Sequence, residues 1–229
     1  MNVEPISDIK ACVFDAYGTL FDFAAAVRRC ENELGSNLHA LTTLWRDKQL
    51  QYSWLLCAQG RHIDFLTLTG DALNFALETL AIDTPGLRGR LLDCAMTPSV
   101  FADIPDVLRR LIDVGFRLAI LSNGSPAMLR SAVAAAGLNG VFETVLSVEE
   151  VGAFKPHPKV YQLALDRLNL DPSAIAFVSS NAWDAHAASA FGLPTVWCNR
   201  GNQRRERLPG RRDLEIVSLT PLPDLLSRP

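Results

Sequence analysis

Long apolar runs are missing from this chain of 229 residues. None approaches the ~18 residues that a bilayer-spanning helix needs, so no membrane partner is expected. Met1 to Lys10 hold no basic segment followed by an apolar one, and no secretory signal is expected there. Cysteine is sparse. The five residues Cys12, Cys30, Cys57, Cys94 and Cys198 are scattered, odd in number and without C-x-x-C spacing. That excludes the usual signatures of a disulfide framework and of a zinc site. Buried free thiols in a reducing cytoplasm are the expected state. Net charge is only −3, too small to point to a polyanion, so no nucleic-acid partner is expected. The Arg-rich stretch Arg200 to Arg212 is interrupted by Glu206, Pro209 and Gly210 and reads as a solvated loop. Internal repeats and low-complexity tracts are absent as well.

What the chain does have is apolar content. Hydrophobic residues make up 48% and charged ones 21%. That is enough for one domain with an insertion, or for two small domains. The organising stretch is Val13-Phe14-Asp15-Ala16-Tyr17-Gly18-Thr19-Leu20. Ala11 to Phe14 read as a short buried strand. Asp15 then stands at its carboxyl end, and Gly18 marks the following turn. Ligand sites in open parallel sheets lie outside such strand ends. From this stretch alone, Asp15 is either a nucleophile or a cap for the next turn.

After Leu20 the strand pattern stops for about eighty residues. Helices are expected over Phe21 to Leu34, around Leu38 to Leu56, over Asp64 to Leu80 and over Gly86 to Met96, with breaks at Gly35-Ser36-Asn37 and Gly60. This block reads as a helical subdomain. An alternating pattern follows. Strands are expected at Arg117–Leu121, Val145–Val148, Ala174–Val178, Pro194–Trp197 and Leu214–Val217. Helices are expected at Val107–Val114, Pro126–Ala136, Lys159–Leu168 and Ala182–Phe191. Such alternation implies an α/β fold with a doubly wound parallel sheet. The expected division is a core of residues 1–18 and 100–229 and a helical unit of residues 19–99.

Polar residues gather after the strands: Asp15, then Ser122 and Asn123, then Ser179, Ser180, Asn181 and Asp184. Lys155 sits in a loop before a helix. Each has a plain alternative as a turn residue, a helix cap or a solvated lysine. Their joint placement on one sheet edge is what a shared site requires.

The runs F-D-A-Y-G-T-L, L-S-N-G, K-P-H-P and F-V-S-S-N-A-W-D resemble the haloacid dehalogenase superfamily. Within it the likeness is to the L-2-haloacid dehalogenases, whose cap helix is similar to Leu44 to Trp54. The resemblance spans about Ala11 to Arg200. It implies a Rossmann-like core with a helical-bundle cap inserted after the first strand. Phosphatases of the superfamily carry D-x-D at the first motif. Here the third position is Tyr17, whose phenol, with an ordinary pKa of ~10, is a poor acid for an alkoxide. Halide leaves without a proton. Ser179-Ser180 stand at the usual Gly-Asp place. That leaves two Asp beside Lys155, a poor Mg²⁺ site, so neither metal nor cofactor is expected.

The activity implied is hydrolysis of short-chain L-2-haloacids to D-2-hydroxyacids and halide. Asp15 attacks C2 opposite the halogen, C2 inverts, and water then opens the ester at the Asp15 carbonyl carbon. By the same resemblance Asp184 activates that water, with Asn181 helping, and Lys155 offsets the anions. Thr19 and Ser179 aim the catalytic groups. Ser122 contacts the substrate carboxylate, and Tyr161 supports the lysine. Arg46 and Asn123 receive the halide. Tyr17, Leu50, Phe65 and Trp183 wall the apolar side of the pocket. Asp47 follows Arg46 where the family often has Gln. His157 and His186 are read as non-catalytic, with His186 on a helix surface. A homodimer is expected from the resemblance and the apolar cap helices. The alternatives are a Mg²⁺-dependent phosphatase of the same superfamily, or a binding protein that kept the fold.

Overall fold

The computed structural model describes residues 5–208 and 214–228. Residues 1–4 of the N-terminal stretch, and Pro209, Gly210, Arg211 and Arg212 of the Arg-rich stretch, lie outside them. Among the described residues no helix is long and apolar enough to cross a membrane.

Strand β1 is Ala11–Phe14, and all four residues are buried. A strand covered on both faces reads as an unbroken apolar run, which is how this one appears in the sequence. The chain then leaves the sheet. It forms β2 (Phe21–Asp22), α1 (Phe23–Val27), α2 (Glu31–Leu34), α3 (Leu38–Ala58), α4 (Phe65–Thr79), α5 (Leu87–Met96) and β3 (Ser99–Val100). The alternating half follows: α6 (Ile104–Val114), β4 (Arg117–Ser122), α7 (Pro126–Ala135), β5 (Thr144–Ser147), α8 (Pro158–Leu168), β6 (Ile175–Ser179), α9 (Ala182–Phe191), β7 (Thr195–Cys198), β8 (Leu214–Ile216) and α10 (Leu222–Leu225).

Six strands form one sheet in the order β5-β4-β1-β6-β7-β8, and all its pairings are parallel. The doubly wound α/β expectation therefore holds. β1 lies between β4 and β6, so their carboxyl ends flank Asp15. This is the point where the winding reverses, and a crevice opens there.

The structure corrects four expectations. Phe21 to Leu34 is not one helix. Phe21 and Asp22 pair antiparallel with Val100 and Ser99, and Arg28–Cys30 form a 3₁₀ turn between α1 and α2. The chain leaves and re-enters the core at this pair, where Phe21 is fully buried; its backbone groups need partners, and a short antiparallel pair supplies them. Asp22 then caps α1 by accepting the Ala25 N–H at 2.8 Å. His186 is buried within α9 rather than on its surface. Ala182, Ala185 and Ala188 let that helix lie close to the sheet, so its flank is covered too. Arg200 is not solvated. Its guanidinium forks onto Asp103 at 3.0 and 3.0 Å and donates to the Thr19 carbonyl at 3.2 Å. Gly201 to Leu208 are exposed, as expected of the loop. Finally, Cys57 is half-buried, whereas the other four free cysteines are buried.

Candidate active site

The turn after β1 sets the floor of the site. Gly18 has φ +93°, a left-handed conformation that disfavours any side chain. The tight turn is closed by the Gly18 N–H on the Phe21 carbonyl at 2.8 Å. It brings Thr19 back under Asp15, so that Thr19 Oγ1 donates to Asp15 Oδ2 at 2.9 Å. The same hydroxyl accepts the Ser180 N–H at 2.8 Å, tying the turn to the loop after β6. Asn181 Nδ2 donates to Asp15 Oδ2 at 2.8 Å and to the Tyr17 carbonyl at 3.3 Å.

Lys155 stands at the centre. It is 1% exposed, and its Nζ lies 3.0 Å from Asp15 Oδ1 and 2.8 Å from Asp184 Oδ2. Burial alone would lower the lysine pKa, but the charges of Asp15 and Asp184 outweigh it and the net shift is upward. Burial raises the pKa of Asp184 above the ordinary carboxylate value. Nearby Asp15 adds to that rise, while Lys155 and the Tyr161 hydroxyl oppose it. Ser179 Oγ donates to Asp184 Oδ2 at 3.1 Å and accepts the Asn181 N–H at 3.1 Å. Tyr161 donates to Asp184 Oδ1 at 2.8 Å. Its link to the lysine thus runs through Asp184.

The pocket above Asp15 is tight, with a cavity volume of about 10 Å³, room for about one water. Its lining is Asp15, Tyr17, Arg46, Leu50, Phe65, Ser122, Asn123, Gly124, Lys155, Asn181 and Trp183. All seven residues expected to bind substrate are among them. The remaining expected residues, Thr19, Tyr161, Ser179 and Asp184, lie behind the lining, in contact with Asp15 or with one another. Arg46 and Leu50 are one turn apart on α3, and Phe65 opens α4, so these helices stand over the carboxyl edge of the sheet. Desolvation lowers the Arg46 pKa, partly offset by Asp15, Tyr17 and Asp184. Burial raises the Tyr17 phenol pKa, and its hydroxyl donates to the Ala95 carbonyl at 2.9 Å. Asp47 is exposed on α3 and is not part of the lining.

Ser122 Oγ accepts the Gly124 N–H at 3.1 Å, which leaves its O–H to donate into the pocket. Asn123 Oδ1 accepts the Lys155 N–H at 2.9 Å, fixing the amide that faces the cavity. Sequence reasoning missed Gly124. A Cβ there would meet Leu129 at 3.1 Å and the Tyr17 ring at 3.2 Å, so the turn after β4 has room only for glycine unless a neighbour shifts. It also missed Gln49 and Thr69, whose signal is the i, i+3 spacing of Gln49 from Arg46.

The arrangement presents a carboxylate whose side-chain contacts are all donors. A second carboxylate shares its lysine, and an arginine enters from another element. A floor anion, a roof cation and a small apolar wall suit displacement at carbon in a short anionic molecule.

Comparison with known proteins agrees with this geometry. A family model described as haloacid dehalogenase-like hydrolase matches residues 9–192. (S)-2-haloacid dehalogenase 1 of Pseudomonas sp. (strain CBS-3) is 45% identical over 221 residues, covering 96% of this chain and 97% of the relative. A crystal structure of a dehalogenase with an intermediate complex superposes with TM-score 0.95 at 40% identity, covering 98% of this chain and 100% of that one. The L-2-haloacid dehalogenase of Xanthobacter autotrophicus, solved with chloropropionic acid covalently bound, gives TM-score 0.88 at 34% identity, covering 95% of this chain and 98% of that one. The chain belongs to the haloacid dehalogenase-like hydrolases, within the group of the L-2-haloacid dehalogenases.

Proposed function

We propose that this protein hydrolyses short-chain L-2-haloacids to D-2-hydroxyacids and halide, inverting C2 through an ester on Asp15. The observation that carries this reading is the buried ammonium of Lys155, held between Asp15 and Asp184 at 3.0 and 2.8 Å. It lets an anionic nucleophile and an anionic substrate share one small pocket.

Asp15 Oδ2 already accepts two side-chain donors, whereas Oδ1 accepts Lys155 alone. Oδ1 therefore keeps a lone pair for attack on C2. The substrate carboxylate lies against the Ser122 hydroxyl and the backbone N–H groups beside it. Halide departs toward Arg46 and Asn123; guanidinium is weakly hydrated and suits a large soft anion. In the second step, Asp184 takes a proton from the water that attacks the Asp15 carbonyl carbon. Asn181 helps to hold that water, and C2 is not touched again. Tyr161 and Ser179 hold Asp184, and Thr19 aims Asp15. Tyr17, Leu50, Phe65 and Trp183 exclude bulk water.

The phosphatase alternative fits these residues poorly. It asks for carboxylates where the chain has Tyr17 and Ser180, and for a divalent cation beside the ammonium of Lys155. We read the reaction as metal-independent. We further propose residues 19–99 as the cap, a cytoplasmic location on the strength of the five free cysteines, and a homodimer. The dimer reading draws on the outward apolar side chains Trp54 and Leu55 of α3.

The test is halide release from L- and D-2-chloropropionate in EDTA, beside a phosphate ester. Release from the L isomer alone, lost in Asp15→Asn, supports the reading. Mg²⁺-dependent phosphate release without halide contradicts it.

A further inference from the structure

Arg46 is held by side chains of α3 and α4 that do not line the pocket. Among the described residues, the hydrogen-bond partner of its guanidinium is Gln49, with Nη1 3.5 Å from Oε1. Gln49 is itself buried, one helical turn further along α3. Its Nε2 donates to Thr69 Oγ1 at 2.8 Å, which settles which end of the amide faces Arg46. Thr69 lies on α4 and also takes Trp45 Nε1 on its carbonyl at 2.9 Å. The residues immediately before and three after Arg46 are thus pinned to one residue of the neighbouring helix. A buried amide fixed at one end presents its other end in a set direction.

We propose that Gln49, anchored by Thr69, is a positioning residue that aims the Arg46 guanidinium at the departing halide and so tunes leaving-group specificity. The inference rests on the reading of Arg46 as the halide receiver. The chemistry of the contact suits that task. A neutral amide oxygen at the outer limit of hydrogen bonding orients a guanidinium without neutralising it. It occupies one of the five guanidinium N–H donors and leaves the others for an anion. A carboxylate at the same place would form a charge-assisted pair and compete with halide.

The experiment compares kcat/KM for L-2-bromopropionate and L-2-chloropropionate in wild type, Gln49→Leu, Gln49→Glu, Thr69→Val, Thr69→Ser and Arg46→Lys, each with its melting temperature. Chloride is the poorer leaving group and depends more on the receiving cation. The bromide-to-chloride ratio is expected to rise roughly threefold in Gln49→Leu, the low end of what one hydrogen bond contributes, as a contact of 3.5 Å warrants. It is expected to rise further in Gln49→Glu, to rise less in Thr69→Val, and to return toward wild type in Thr69→Ser. Arg46→Lys should shift the ratio the same way. If Arg46→Lys shifts the ratio while Gln49→Leu lowers both substrates equally, or only the melting temperature, the positioning role is overturned and the Arg46 reading stands. If the ratio is unmoved in Arg46→Lys, the Arg46 reading falls and the inference with it. Should Gln49→Leu fail to fold, Thr69→Val decides between the same outcomes.

Discussion

Replacing Lys155 by Met keeps the length of the side chain and removes its charge. The loss can be sized from the geometry. At 3.0 and 2.8 Å, each carboxylate attracts the ammonium by ~6 kcal/mol at an effective dielectric of ~20. Desolvation of the buried lysine offsets much of that, and the net cost of breaking a buried pair is about 3–5 kcal/mol. The sign with pH follows. Burial already raises the Asp184 pKa, and Lys155 opposes that rise. Without the lysine, the folded-state pKa of Asp184 rises further above its unfolded value. Stability then falls as pH climbs from the unfolded value through the folded one, because over that window the native state binds the extra proton. Urea denaturation of Lys155→Met and wild type at pH 5 and pH 8 measures this. The deficit is expected to be larger at pH 8, by about 1.4 kcal/mol for each unit by which the carboxyl pKa has moved further up within that range. Halide release is expected to fall at least a hundredfold, the scale for removing a preorganised charge. A deficit under about 1 kcal/mol that does not change between the two pH values would refute the claim that the lysine bridges both carboxylates.

Two further predictions follow from the same cluster. Asp184→Asn should still displace halide but not open the ester. A burst of one equivalent of halide, with the protein mass raised by the 1-carboxyalkyl group left on Asp15, is expected; full turnover or no burst at all would remove Asp184 from the hydrolytic step. The pH profile of kcat should fall on the acid side above the ordinary Asp value of 3.8, because burial raises Asp184, and on the alkaline side above the ordinary lysine value of 10.5. Rates across pH 4 to 11 check both limbs.

The parts of this molecule that could be read from the sequence are those in which a local pattern has one physical solution. β1, β4 and β6 are apolar runs with polar residues at their ends, and a parallel sheet brings those ends together. Asp15, Lys155 and Asp184 could be grouped on that basis. The β2–β3 pair could not be read: Phe21–Asp22 and Ser99–Val100 are too short to show a period of two, and they exist because the chain crosses between units there. Nor could the pairing of Arg200, because its partners Asp103 and Thr19 are distant in sequence. The resemblance ties Tyr161 to the lysine, whereas its hydroxyl meets Asp184. A side chain's partner across a helix–helix contact leaves no trace in spacing. Asp47, the departure from the family pattern, proves to face outward, and the buried amide beside Arg46 comes instead from Gln49.

In the proposed reaction Asp15 forms an ester that water opens at the carboxylate carbon. A single turnover with excess enzyme in H₂¹⁸O, followed by digestion and mass spectrometry, tests it most directly. Turnover through that ester puts ¹⁸O into the carboxylate of Asp15, and the first hydroxyacid released carries none from solvent. Label in the product of that first turnover, with Asp15 unlabelled, would mean that water attacks C2 directly and that no ester forms.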